Sequence, residues 1–105
     1  MFGDMFGNME EKQQALQEKL GTIFVQSEAG DGAITVKANA RREIVNVSIN
    51  KSLVDLEDME QLEDLLLVAV NRALEMAAGK EAEESQKLIQ DILPPGMDGL
   101  KNMFG

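Results

Sequence analysis

The chain has 105 residues, room for one domain, and it sets 10 basic residues against 19 acidic ones, a formal charge of −9 at pH 7. With no Cys and no His it has no disulfide, no thiolate metal site, no thiol nucleophile and none of the commonest general base. Its longest apolar run, Leu65 to Val70, is far short of the roughly 20 residues that span a bilayer, and Met1-Phe2-Gly3-Asp4 lacks the basic and apolar regions of a signal peptide. The expectation is a cytoplasmic protein that is not an enzyme, with no cofactor, no metal, no membrane partner and no small-molecule substrate.

Residues 1–8 hold a small repeat, Met1-Phe2-Gly3-Asp4 and Met5-Phe6-Gly7-Asn8, echoed by Met103-Phe104-Gly105. They are expected to be a flexible terminus, since chain ends usually fray. Asn8 with Glu11 has capping-box spacing, which predicts a helix from about Met9 to Leu20, stopped by Gly21. Its apolar stripe is thin: Met9, Leu16 and Leu20. Such a helix touches its neighbours along one line and stands largely in water.

The period then changes to two. Ile23 and Val25, then Ile34, Val36 and Ala38, then Val45, Val47 and Ile49 alternate with polar or outward residues, which predicts three half-buried strands. Gly30-Asp31-Gly32 forms a tight turn, because Gly and Asp accept positive φ. Asn39-Ala40-Arg41-Arg42 joins the second strand to the third. Short links make an antiparallel meander with one apolar face.

The long helix begins near Asp58, where Gln61 sits at capping-box spacing and acids crowd the first turns. One apolar stripe is Leu62, Leu66, Ala69, Ala73 and Ala77; a second is Met59, Leu67, Val70 and Leu74. Met59 and Met76 read as core filler, and Asn71 as an amide satisfied within an apolar surround. Gly79 weakens the helix without stopping it, and Pro94-Pro95-Gly96 ends it. A helix over 58–92 is about 50 Å long, against about 25 Å for strands of seven or eight residues, so about half of it projects beyond the sheet. One small meander cannot cover both stripes. The uncovered side is expected to meet a second copy through Leu66, Leu67, Val70, Ala73 and Leu74. The domain reading is a single unit over 9–93 with a tail at 94–105.

The order helix–strand–strand–strand–helix resembles the YbaB/EbfC family of bacterial nucleoid-associated proteins. The most specific part is Leu62-Glu63-Asp64-Leu65 followed by Ala69-Val70-Asn71-Arg72-Ala73, similar to the family's Leu-Glu-Asp-Leu…Ala-(apolar)-Asn-x-Ala signature. Gly30-Asp31-Gly32, Val45-Asn46-Val47-Ser48-Ile49 and Pro95-Gly96 support it. The resemblance implies an α+β, tweezer-like homodimer, with joined sheets as base and helices as arms. It also implies duplex DNA as a partner, bound with little sequence preference, and a place on the nucleoid.

The charge balance is −2 over residues 1–20, zero over 21–56 and −7 over 57–105, so any DNA contact must come from a local patch. Arg41 and Arg42, with Lys37 and Lys51, read as the basic cluster. Lys12 with Lys19, and Lys80 with Lys87, are pairs seven residues apart that share a helix face and can line the gap between arms. Arg contacts phosphate by paired hydrogen bonds and Lys as a point charge. The plainer reading of all eight is solvated surface charge. Tyr and Trp are absent, so no stacking platform for single strands is expected. The alternative function is a non-enzymatic protein–protein adaptor with acidic arms and Met/Phe-rich ends.

Overall fold

The computed structural model describes residues 2–92. Helix α1 (Phe2–Leu20) is followed by strands β1 (Phe24–Ala29), β2 (Ile34–Asn39) and β3 (Ile44–Ile49), a 3-10 turn at Lys51–Leu53, and helix α2 (Met59–Ile92). The strands form one antiparallel sheet in the order β1-β2-β3. The α+β helix–meander–helix expectation is met. Pro94-Pro95-Gly96 and Met103-Phe104-Gly105 lie outside the described residues.

Local chemistry explains the joints. Gly30, Asp31 and Gly32 all take positive φ, at 67, 53 and 91°, as the Gly/Asp turn requires. A Cβ on Gly30 would also come within 3.0 Å of Leu65 Cδ1. At the start of α2 the Asp58 carboxylate accepts from the Gln61 backbone N–H at 3.1 Å, the predicted cap. The helix then runs through Gly79 without a break.

The core lies between α2 and the first two strands. Val25, Ala29, Ile34, Val36 and Ala38 meet Ala69, Ala73 and Ala77, all buried. Three alanines four residues apart let the helix backbone approach the sheet closely. The buried Ser27 hydroxyl on β1 donates to the Ala69 carbonyl of α2. Arg72, on the other flank of the same helix, donates to the Glu28 carbonyl at 3.0 Å and ties α2 to the outer edge of β1.

With 34 residues, α2 is about 50 Å long, and each six-residue strand about 20 Å. The buried apolar contact with the sheet ends at Ala77. The remainder of α2 projects, flanked by α1, of which only Leu16 and Leu20 are sheltered over residues 8–20. The Cα radius of gyration is 19.2 Å, where a compact chain of this length has about 13 Å.

Several expectations are corrected. Helix α1 starts at Phe2 rather than Met9, so Asn8 lies inside it and does not cap it. Glycines at 3 and 7 cost a helix only about 1 kcal/mol each, too little to stop it. The inward row of β1 is Val25, Ser27 and Ala29, and Ile23 precedes the strand. Met59 and Met76 are about half exposed and fill no core, and Asn71 is exposed. Ala73 is fully buried against the chain's own sheet, while Leu67 stays open.

The largest difference is β3. Val47 and Ile49 pair with the buried Val36 and Ile34, so they point to the α2 side of the sheet. They are nevertheless 44% and 41% exposed, because α2 lies over β1 and β2 and barely reaches β3. A bulge at Lys37/Ala38 sets Ile44, not Val45, opposite buried Ala38.

Candidate nucleic-acid interface

The turn between β2 and β3 is built by Asn39. Its side-chain oxygen accepts from the backbone N–H of Arg41 at 2.9 Å and of Glu43 at 3.2 Å, and its amide donates to the Glu43 carboxylate at 2.7 Å. This holds Arg42 at φ 65°, a left-handed conformation that L residues rarely adopt. The turn thereby directs two adjacent arginines at two different helices. Arg41 Nε donates to the Gln17 carbonyl of α1 at 2.6 Å, a carbonyl that also accepts from the Gly21 backbone N–H, and so places positive charge at the helix C-terminus. Its guanidinium packs on Gly21, where a Cβ would lie 3.0 Å from Cζ. Arg42 Nε lies 3.6 Å from the Glu81 carboxylate of α2.

One turn further along α2 stands Glu84. Its carboxylate accepts from Lys19 of α1 at 2.7 Å and from Lys87 at 3.1 Å. The lysine side chains are 57% and 58% exposed, whereas that of Glu84 is 9% exposed. The Lys19 ammonium, then that of Lys87, hold the Glu84 carboxyl below its ordinary value of 4.5, and burial, which works the other way, is outweighed. Glu84 in turn raises Lys87 above its ordinary 10.5.

A carboxyl lowered in the folded state contributes stability above its unfolded pKa, and that contribution is lost as pH falls through the folded value. The melting temperature of the native chain should therefore exceed that of Glu84→Gln at neutral pH, with the gap closing below about pH 4.5. Thermal melts of both across that range check this; a gap constant with pH would assign the difference to packing instead of charge.

The eight predicted cations thus separate. Lys19, Arg41, Arg42 and Lys87 gather where the end of α1, the β2–β3 turn and residues 81–87 of α2 meet. Lys80 pairs with Glu83 at 3.5 Å on the same stretch of helix, and Lys12 is exposed on α1. Lys37 and Lys51 do not join Arg41 and Arg42. Lys37 sits mid-strand on the face away from α2, 4.4 Å above the Phe24 ring, and Lys51 follows the opposite end of β3. Sequence reasoning missed Glu81 and Glu84 as the acids that organise the cluster. The i, i+3 spacing of Glu84 and Lys87 was visible, but the contact to Lys19 is tertiary.

A second surface is apolar. Leu67 on α2 is 60% exposed, and Leu66, Val70 and Leu74 are half-buried. Leu74 borders the cleft that also holds Arg41, Arg42 and Asn71, so this flank of α2 faces the β3 side of the sheet. Together with Ile44, Val47 and Ile49 it forms a patch that no other part of the described chain covers.

The comparisons agree with this architecture. A nucleoid-associated protein of Chloroflexus aurantiacus is 39% identical over 100 residues, 95% of this chain and 92% of its own length. Those of Pelotomaculum thermopropionicum and Moorella thermoacetica are 42% and 44% identical, covering 85% and 77% of this chain and 85% and 78% of their own. The crystal structure of an uncharacterised Helicobacter pylori protein superposes with a TM-score of 0.75 at 25% identity, over 84% of this chain and 92% of the other. The YbaB/EbfC DNA-binding family matches residues 2–92, from the first residue of α1 to the last of α2, and the chain belongs to that family.

Proposed function

We propose that the protein is a nucleoid-associated homodimer that holds duplex DNA mostly through backbone contacts, with little sequence preference, in a bacterial cytoplasm. The observation that carries this reading is the gathering of Lys19, Arg41, Arg42 and Lys87 at the root of the projecting arms. Cations of this kind neutralise phosphates and set position on a duplex, while sequence is read by elements that enter a groove. The names of the relatives support the nucleoid assignment. The uncovered patch of β3 and α2 supports the dimer. Two-fold pairing through it joins the sheets as a base and sets two pairs of arms, with their cations, around one duplex.

A gel shift with a random-sequence duplex tests the reading. Binding should appear at low salt and fade as salt rises. The double variant Arg41→Ala/Arg42→Ala removes four cations per dimer and should weaken binding about 10- to 100-fold while flattening its salt dependence. Because Arg41 also caps α1, the single variant Arg42→Ala separates phosphate contact from helix support. No shift at low salt, together with capture of a partner protein, would favour the adaptor function.

A further inference from the structure

Lys19, Lys80, Lys87 and Arg42 are each held against one of three close neighbours on α2, Glu81, Glu83 and Glu84. The acids are not alike. The Glu83 side chain is 53% exposed and that of Glu81 31%, so each has water to turn towards when a phosphate takes its partner. Glu84, at 9%, is fixed beneath its two lysines by the packing of α1 on α2. A phosphate that approaches Lys19 and Lys87 meets three charges at once, with a sum of one positive instead of two.

We propose that Glu84 sets the affinity of the arms for DNA: it gathers one lysine from each helix at a single outward point and permanently cancels half of their charge. This rests on the reading that the arms contact duplex DNA. Gathering and cancelling act in opposite directions, and cancelling is the larger. The lysines are anchored on two packed helices and stay near each other without the acid. The buried carboxylate, by contrast, repels every phosphate within reach whether or not DNA is bound. Gln has the same shape and still accepts a hydrogen bond from one lysine, so Glu84→Gln keeps most of the gathering and removes the repulsion.

The test is fluorescence anisotropy of an end-labelled random-sequence duplex, titrated with the full chain between about 50 and 200 mM salt. Glu84→Gln should bind about 3- to 10-fold tighter than the native chain, with a steeper salt dependence, since one more net cation per arm reaches the backbone. Adding Lys19→Gln and Lys87→Gln to it should return affinity to the native level or below. Glu60→Gln, an exposed acid at the far end of α2, should gain much less. Equal or weaker binding by Glu84→Gln with an unchanged helical circular dichroism signal overturns the inference, and so does an equal gain for Glu60→Gln. If Glu84→Gln loses helix, Glu84→Met, which fills the same space without charge, decides: tighter binding than the native chain supports the proposal, and equal or weaker binding overturns it. A native chain that never binds the duplex overturns the DNA reading itself, a different result from binding that Glu84→Gln leaves untouched.

Discussion

On the proposed two-fold pairing, replacing Leu67 by Glu should convert dimer to monomer at micromolar concentration. Leu67 is 60% exposed in the single chain, on the flank of α2 that continues onto the uncovered face of β3. In the monomer the new carboxylate is solvated and costs little. In the proposed two-fold interface it appears twice, each time against an apolar partner surface that excludes water. An uncompensated buried charge costs about 3 kcal/mol or more, so the two together raise the dissociation constant by roughly four powers of ten. Val47→Glu, across the patch on β3, should act the same way. Gln26→Glu, exposed on the opposite face of the sheet, should leave the mass unchanged. Sedimentation equilibrium of the three variants beside the native chain is the check. A native monomer, or a Leu67→Glu dimer of native strength, would end the two-fold account. A monomeric Leu67→Glu that also loses most of its DNA affinity would show that the arms act in pairs, as the proposed dimer requires when it presents twice the cations to one duplex.

How far these surfaces were legible in the sequence depends on the range of the interactions that define them. Period two and period 3.6 are local, so the strands, the Gly30-Asp31-Gly32 turn, the Asp58 cap and the projecting length of α2 could be read directly. The stripe of Ala69, Ala73 and Ala77 was also local, and the structure buries all three. What alternation cannot say is which strand the helix covers. Val36 on β2 and Val47 on β3 look alike in sequence and point to the same side, yet one is fully buried and the other 44% exposed. The helix is only wide enough for two strands, and the bulge at Lys37/Ala38 re-phases the third. The candidate interface was less legible for the same reason. Lys19 and Lys87 were visible as exposed cations, but their convergence depends on α1 returning to α2 across the whole sheet, and the buried acid between them has no local mark beyond its spacing from Lys87. Nearness in sequence groups Lys37 and Lys51 with Arg41 and Arg42, but an extended strand carries such neighbours apart.

Ala73→Leu should destabilise the fold severely. Ala73 is completely buried midway along the Ala69, Ala73, Ala77 row, directly against β1 and β2. Three extra carbons find no space unless α2 lifts from the sheet, and overpacking of this kind costs about 1–3 kcal/mol. Lifting also breaks the hydrogen bond from Ser27 to the Ala69 carbonyl. It leaves the Ser27 hydroxyl, in a residue only 5% exposed, without a partner, a further cost of about 1–3 kcal/mol. Against a total stability of about 5–15 kcal/mol, the sum lowers the melting temperature by about 10 °C or more. Ser27→Ala separates the two contributions. It removes the hydroxyl and its need together, while the Ala69 carbonyl keeps its place in the helix ladder, so it should cost only about 1 kcal/mol. Thermal melts of both variants decide the matter. If Ala73→Leu melts within a few degrees of the native chain, close contact between helix and sheet is not what fixes α2. The consequence would reach the arms, because the same contact sets the height at which α2 presents Glu81 to Arg42 and Glu84 to Lys19.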